Sequence, residues 1–403
     1  MLKISRSLLS LLCLLLLTSS VWSQVSPEAE KPEGSGSKSE KAAFPGAKEL
    51  ESSLKDLMER RRVAGLAVTI VKDQKILWNG AFGWADVAAK RPVTSDTLFQ
   101  LASVSKTVTV CAILQQVEQG LLDLDTDIND VLPFKVRHPE HPKIPITLRR
   151  LLTHTAAIRD NWNLLEGTWV KDGDFPVSLG ESLKRYLVPD GEWYKARRNF
   201  QRWAPGKRNE YSNVGVALAA HVAEVVAKKP FEELCHQGIF KPLGMKRSSY
   251  RLKPLDRAEI AIPHEWKKGK QQPLGHHGYL DFPAGTLRTS APQLARFLLC
   301  VMGSGEYQGK RILEAKTVRE MLRVQYPELE ETQGLVWFRE SQEDEEGTLI
   351  GHDGSDPGVL TMMYYDPDKK VGFILLMNGE PRGRGIDDEI MEIMNRAIFD
   401  QES

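Results

Sequence analysis

The chain has 403 residues, 41% of them apolar and 27% charged, with 54 Lys plus Arg against 54 Asp plus Glu. That length exceeds what one hydrophobic core usually serves and predicts a two-lobed body. The balanced charge gives no electrostatic reason for a nucleic-acid partner or for an anionic membrane surface.

Lys3 and Arg6 precede an apolar run from Leu8 to Leu17, and Val21-Trp22-Ser23 ends on a small residue. This is the layout of a secretory signal over residues 1–23, with a cut expected after Ser23 and an uncleaved membrane anchor as the alternative. The run is short for a bilayer span, and no later segment reads as transmembrane. The protein is therefore expected to be exported, periplasmic or secreted. Residues 24–46, rich in Pro, Gly, Ser, Glu and Lys, read as a flexible linker. The folded domain is expected over 47–401.

A charged helix is predicted from Ala47 to Arg62. Leu66 to Val71 and Ile76 to Trp78 flank Asp73-Gln74 and read as a β-hairpin. Val104 to Gln119 is a long amphipathic helix stopped by Gly120. Thr147 to Thr153 is a short helix with Thr147 as N-cap. Val214 to Ala227 and Ala291 to Met302 are apolar helices. Gly334 to Arg339, Val359 to Tyr365 and Val371 to Met377 have the β-branched and aromatic content of sheet, with Asp366-Pro367-Asp368 as a turn. A last helix runs from Asp387 to Phe399. Strands at both ends predict an α/β lobe from about 47–98 and 283–401, with a helical lobe from about 99–282 inserted. A cleft between such lobes is a common place for a site.

Three cysteines remain after the signal, Cys111, Cys235 and Cys300. They cannot all pair within one chain and read as buried apolar thiols. His138 with His141, and His276 with His277, lie in Pro- and Gly-rich loops without a metal-ligand pattern, so no metal or other cofactor is expected. The acidic stretch from Glu328 to Glu346 reads as a solvated loop.

Ser103-Val104-Ser105-Lys106 fits S-x-x-K. Ser35 to Lys38 and Ser52 to Lys55 fit it too, but the first lies in the linker and the second on a solvated helix. Ser103 instead opens an apolar helix, where residues three apart share a face. Lys106 can reach its hydroxyl, and the helix start directs N–H groups at it. A base lysine must be neutral, which burial favours. The same residues also describe a capping serine with a surface lysine.

Tyr211-Ser212-Asn213 follows the Ala204-Pro205-Gly206 turn and starts a helix. Beside a cationic lysine the Tyr211 pKa would drop, making it a usable general base; a partly buried aromatic is the alternative. Asn213 offers a donor and an acceptor for orienting substrate. Gly351-His352-Asp353-Gly354-Ser355 is either a glycine-rich turn or a strand edge. On an edge, the glycines Gly351 and Gly354 let backbone approach a ligand. The Ser355 N–H can then pair with that of Ser103 as an oxyanion hole, and His352 can orient a substrate carboxylate. Lys195, Arg197, Arg198, Arg202, Lys207 and Arg208, interleaved with Trp193, Tyr194, Phe200 and Trp203, are either a solvated loop or a cationic rim for carboxylate substrates.

In this order the three motifs resemble those of the serine β-lactamase and penicillin-binding protein superfamily. The similarity is greatest to its class C-like branch of β-lactamases, D,D-peptidases and esterases. S-x-x-K matches Ser103 to Lys106, Y-x-N matches Tyr211 to Asn213, and K-T-G or H-x-G matches His352 to Gly354. The segments LFQLASVSKT, ITLRRLLTHTAAI, APGKRNEYSNVGVALAA and FPAGTLRTSAPQLARFLL extend the resemblance from about residue 48 to the end. It implies an antiparallel sheet flanked by helices with an inserted, mainly helical lobe. It also implies an acyl-enzyme hydrolase of amide, β-lactam or ester carbonyls, with Ser103, Lys106 and Tyr211 as catalytic residues. A D-Ala-D-Ala carboxypeptidase, or a penicillin-binding protein that acylates without turnover, is the alternative on the same fold. His352 stands where many true β-lactamases have lysine, which favours esterase or peptidase chemistry. The usual T-S-G after L-L-T-H is Thr155-Ala156-Ala157 here.

Overall fold

The computed structural model describes residues 44–341, 347–379, 381–383 and 385–399. The expected signal, the linker up to residue 43 and the end of the acidic stretch lie outside the described residues.

The hairpin forms as β1 (Gly65–Lys72) and β2 (Lys75–Asp86). Asp73 and Gln74 between them both take positive φ, 47° and 63°, the conformation of a two-residue turn whose twist matches the strands it joins. The short β3 (Arg91–Pro92) follows. The C-terminal part adds β4 (Phe338–Ser341), β5 (Thr348–Asp356), β6 (Val359–Asp366) and β7 (Val371–Met377). All join one antiparallel sheet of order β4-β5-β6-β7-β1-β2-β3. The two ends of the chain meet at β7 and β1, where Val68 faces Leu375.

Both faces of the central strands are buried, which is why their sequences are nearly unbroken apolar runs. On one face Leu66, Val68, Ile70, Phe373 and Leu375 pack with α1 (Ala47–Arg61) and with the last helix, Ile386–Met394. On the other face Ala67, Val71, Ile374 and Leu376 join the larger core, which includes the helix Ala291–Met302. This alternation is the two-residue side-chain period of a strand.

The predicted strand from Gly334 starts four residues late, at Phe338. Val336 before it is at φ 71°, a left-handed conformation outside any strand. The glycine-rich run around His352 is strand rather than turn: β4 covers β5 only as far as Gly351, and β6 continues alongside to Asp356. Helix α2 (Ser105–Glu118) differs from its amphipathic reading. Every residue from Ser105 to Leu114 is buried, as in a helix apolar all round that forms a core. The three cysteines are free and buried. Among the described residues no helix is long and apolar enough to cross a membrane.

Candidate active site

Ser103 sits on the short 3₁₀ turn Ala102–Val104 that runs directly into α2. Ala102, buried, is held at φ 45°. A non-glycine residue keeps such a conformation only where its surroundings over-determine it. The sheet supplies that constraint. The Thr361 hydroxyl of β6 donates to the Leu101 carbonyl at 2.6 Å. A Cβ built on Gly354 of β5 would lie 2.7 Å from both Leu101 O and Ser103 N. The glycine is thus needed for close approach of the strand to the Ser103 turn.

Lys106 lies one turn along α2 with none of its surface exposed. Its Nζ donates to Ser103 Oγ at 2.8 Å and to the Ala284 carbonyl at 2.7 Å. Burial brings its pKa down to about 8, although Asp281, Asp160, Asp356 and Asp353 pull it the other way. The surface-lysine alternative is therefore excluded.

Tyr211 precedes the helix Asn213–Ala227. Its ring lies 4.3 Å from that of His154, and Lys106 Nζ is 4.9 Å from its centroid. Over a third of the residue (37%) is open to the cleft. The expected drop in its pKa does not occur. Desolvation by the surrounding protein raises the phenol above its ordinary value, Asp353, Asp160 and Asp356 add to this, and the nearby Ser103 hydroxyl offsets it only in part. Tyr211 is a neutral phenol beside Ser103, not a resting phenolate.

Asp160, which sequence reasoning missed, holds this helix start. Its carboxylate accepts from Ser212 Oγ (2.9 Å), Asn213 N (2.8 Å) and Val214 N (3.1 Å). Ser212 is the N-cap, its hydroxyl accepting from Gly215 N at 3.0 Å. A carboxylate at a helix N-terminus is electrostatically favourable, though burial raises the Asp160 pKa. Buried His154, from L-L-T-H, accepts the Ser212 N–H through Nδ1 at 3.2 Å. Ala157, in place of the usual glycine, takes φ 57°.

His352 is buried on β5. Burial lowers its pKa to about 4, with Lys106 acting the same way and Asp353 opposing. It is therefore neutral at pH 7. Its Nδ1 lies at hydrogen-bond distance from the Asp353 carbonyl, a contact in which the ring must donate. In that state it carries no positive charge toward the cleft. Ser355 is exposed at the cleft wall, next to Gly354.

Ser103, Tyr211, Asn213, His352, Gly354 and Ser355 all line one cleft of about 380 Å³. Lys106 reaches it from below through Ser103. On its other side Asp356 accepts from Tyr279 (2.6 Å) and Gln100 (2.8 Å), and Gln100 in turn accepts from buried Arg288 at 2.9 Å. The basic loop does not enter the cleft. Lys195, Arg197, Arg198, Arg202, Lys207 and Arg208 are all exposed, and none lines the cleft, whose charged lining residues are Asp281, Asp353 and Asp356. Arg208 instead lies 5.0 Å from the Trp203 ring. Among the described residues no group of His, Cys, Asp and Glu has the makings of a metal site.

A serine hydroxyl held by a desolvated amine, in a cleft against an antiparallel sheet, belongs to hydrolases that work through an acyl-enzyme. Known proteins agree. Penicillin-binding protein 4* of Bacillus subtilis (strain 168) is 25% identical over 374 residues, covering 88% of this chain and 76% of that protein. Esterase EstB of Burkholderia gladioli is 29% identical over 238 residues, 59% of each chain. The octameric penicillin-binding protein homologue from Pyrococcus abyssi matches in structure with a TM-score of 0.66 at 25% identity, covering 87% of this chain and 77% of that one. The chain belongs to the beta-lactamase family, whose model matches residues 50–394.

Proposed function

We propose that Ser103 is the nucleophile of a serine hydrolase that prefers ester carbonyls, with Lys106 as base and Tyr211 as proton relay. The observation that carries this is the 2.8 Å contact between Ser103 Oγ and a Lys106 amine with no exposed surface. Neutral Lys106 takes the Ser103 proton as Oγ attacks the carbonyl. The Tyr211 phenol gives its proton to the departing alkoxide or amine and regains one from Lys106. The backbone N–H groups of Ser103 and Ser355 receive the oxyanion, and Asn213 orients the acyl chain. Water then attacks the acyl-enzyme, its proton passing back along the same path to Ser103 Oγ.

A neutral histidine at position 352, rather than a lysine cation, supports ester over β-lactam chemistry. The test is a panel of a chromogenic cephalosporin, a p-nitrophenyl ester and a D-Ala-D-Ala peptide. Ester turnover is expected to be strongest and lactam hydrolysis weak, with all activity lost in Ser103→Ala. Ester turnover that survives in Ser103→Ala defeats the assignment.

A further inference from the structure

The charge of the cleft points away from the anionic substrates that its surface arginines suggested. Asp281 is 5% exposed and lines the cleft. It precedes the turn Phe282–Ala284, whose last carbonyl holds Lys106. Among the described residues its carboxylate meets no side chain in a hydrogen bond or ion pair; its own backbone N–H is its polar contact. Asp356, by contrast, is committed to Tyr279 and Gln100. Asp353 adds an exposed carboxylate on the facing strand.

A carboxylate so buried and so poorly partnered is costly until a cation or a strong donor reaches it. Lys106 attracts it only through space, since its two bonds go to Ser103 and Ala284. The remaining wall is aromatic. Trp162, half exposed, stands at the cleft with Trp169, and Trp169 is propped by the rings of His277 and Tyr279 at 5.5 and 5.4 Å. Indole faces attract organic cations, most strongly where water is excluded. Carboxylates and indole faces together favour an ammonium ion and repel an anion.

We propose that the cleft selects acyl substrates that carry an ammonium group, with Asp281 as the side chain that receives it. Esters and amides of compounds with a free amine are the class this describes. The inference rests on the acyl-enzyme reading for its substrate, but not for its test.

Phenethylammonium, 3-phenylpropanoate and 2-phenylethanol have similar bulk and no bond the enzyme can cleave. Their binding is measured by calorimetry at pH 8 to the wild type, to Asp281→Asn and to Asp353→Asn. At that pH the Asp281 carboxyl, pushed up to about 7 by burial, is ionised. Phenethylammonium is expected to bind about tenfold more tightly than either analogue. That ratio should fall about tenfold in Asp281→Asn and about threefold in Asp353→Asn, each variant being checked for a native melting transition. If the buried substitution prevents folding, the exposed Asp353→Asn carries the test alone. Equal or tighter binding of the carboxylate overturns the inference, as does an unchanged ratio in the folded variants. Because no turnover is involved, a failed ester panel condemns the hydrolase reading without touching this result, and the reverse also holds.

Discussion

At the scale of single residues, the chemistry depends on how the fold treats one amine. Lys106 is buried without a carboxylate bonded to it, and desolvation brings its pKa to about 8. Below that pH the ammonium form dominates and cannot accept the Ser103 proton. The kcat/KM for a neutral ester is therefore expected to rise about tenfold per pH unit up to a limb near pH 8 and then level. Tyr211 adds no limb there, since its phenol is pushed upward. Lys106→Arg keeps the charge but removes the neutral state, so ester turnover should drop by roughly a thousandfold with no recovery at high pH. A limb that stays at the same pH in that variant belongs to another group. The sequence displayed Ser103, Lys106 and Tyr211 because their motifs are local and each runs into an apolar helix, a context the other S-x-x-K matches lack. It did not display Asp160 or Asp281, which come from separate segments and gain meaning only when the tertiary structure brings them to the helix start and the cleft. Their sole sequence signals were adjacency to the T-H-T-A-A and F-P-A-G-T stretches.

Among the elements, β5 does most to shape the site, and it was the hardest to read. Gly351, Asp353, Gly354 and Asp356 are poor strand formers, so the run looks like a turn. It is strand because β6, the next strand after the Pro357-Gly358 turn, pairs it along Ile350 to Asp356, a pairing that outweighs the propensity of the residues themselves. Strands β6 and β7, built from Val, Met, Tyr, Phe, Ile and Leu, needed no such help. The same close packing gives a prediction. A methyl at position 354 would lie 2.7 Å from Leu101 O, Ser103 N and Thr361 Oγ1, and these are backbone and a buried hydroxyl that cannot swing aside. Gly354→Ala must push β5 and the Ser103 turn apart. Turnover is expected to fall at least about a hundredfold, as small misplacements of reacting groups do. Stability should fall by only about 1–3 kcal/mol, the usual cost of overpacking. Kinetics beside thermal melting checks this; unchanged kcat with a native melt shows that the strand does not position the nucleophile.

For the whole molecule, closing one sheet from both ends of the chain buries many polar groups, and several of them titrate with opposite sign. His154, His276 and His352 are neutral in the fold, burial holding the first well below its usual value and the other two at about 4. An unfolded chain binds their protons near pH 6.5. The stability they contribute is thus complete above 6.5 and is lost as pH falls from there toward 4. Asp281, raised to about 7 by burial, works the other way: the fold takes up its proton before the unfolded chain does, so protonation relieves a cost between pH 7 and 4. His276 separates the two effects, because it lies outside the cleft lining and its ring Nδ1 is buried without a partner. Its displacement from 6.5 to about 4 corresponds to roughly 3 kcal/mol. His276→Gln removes that site, so its stability relative to the wild type should improve by up to that amount between pH 7 and pH 4, whatever the substitution costs at pH 7. Asp281→Asn should lose ground to the wild type over the same interval. Urea melts of the three proteins at pH 7, 5.5 and 4.5 measure both slopes, and parallel curves for His276→Gln and the wild type would mean that its imidazole charges freely in the folded protein.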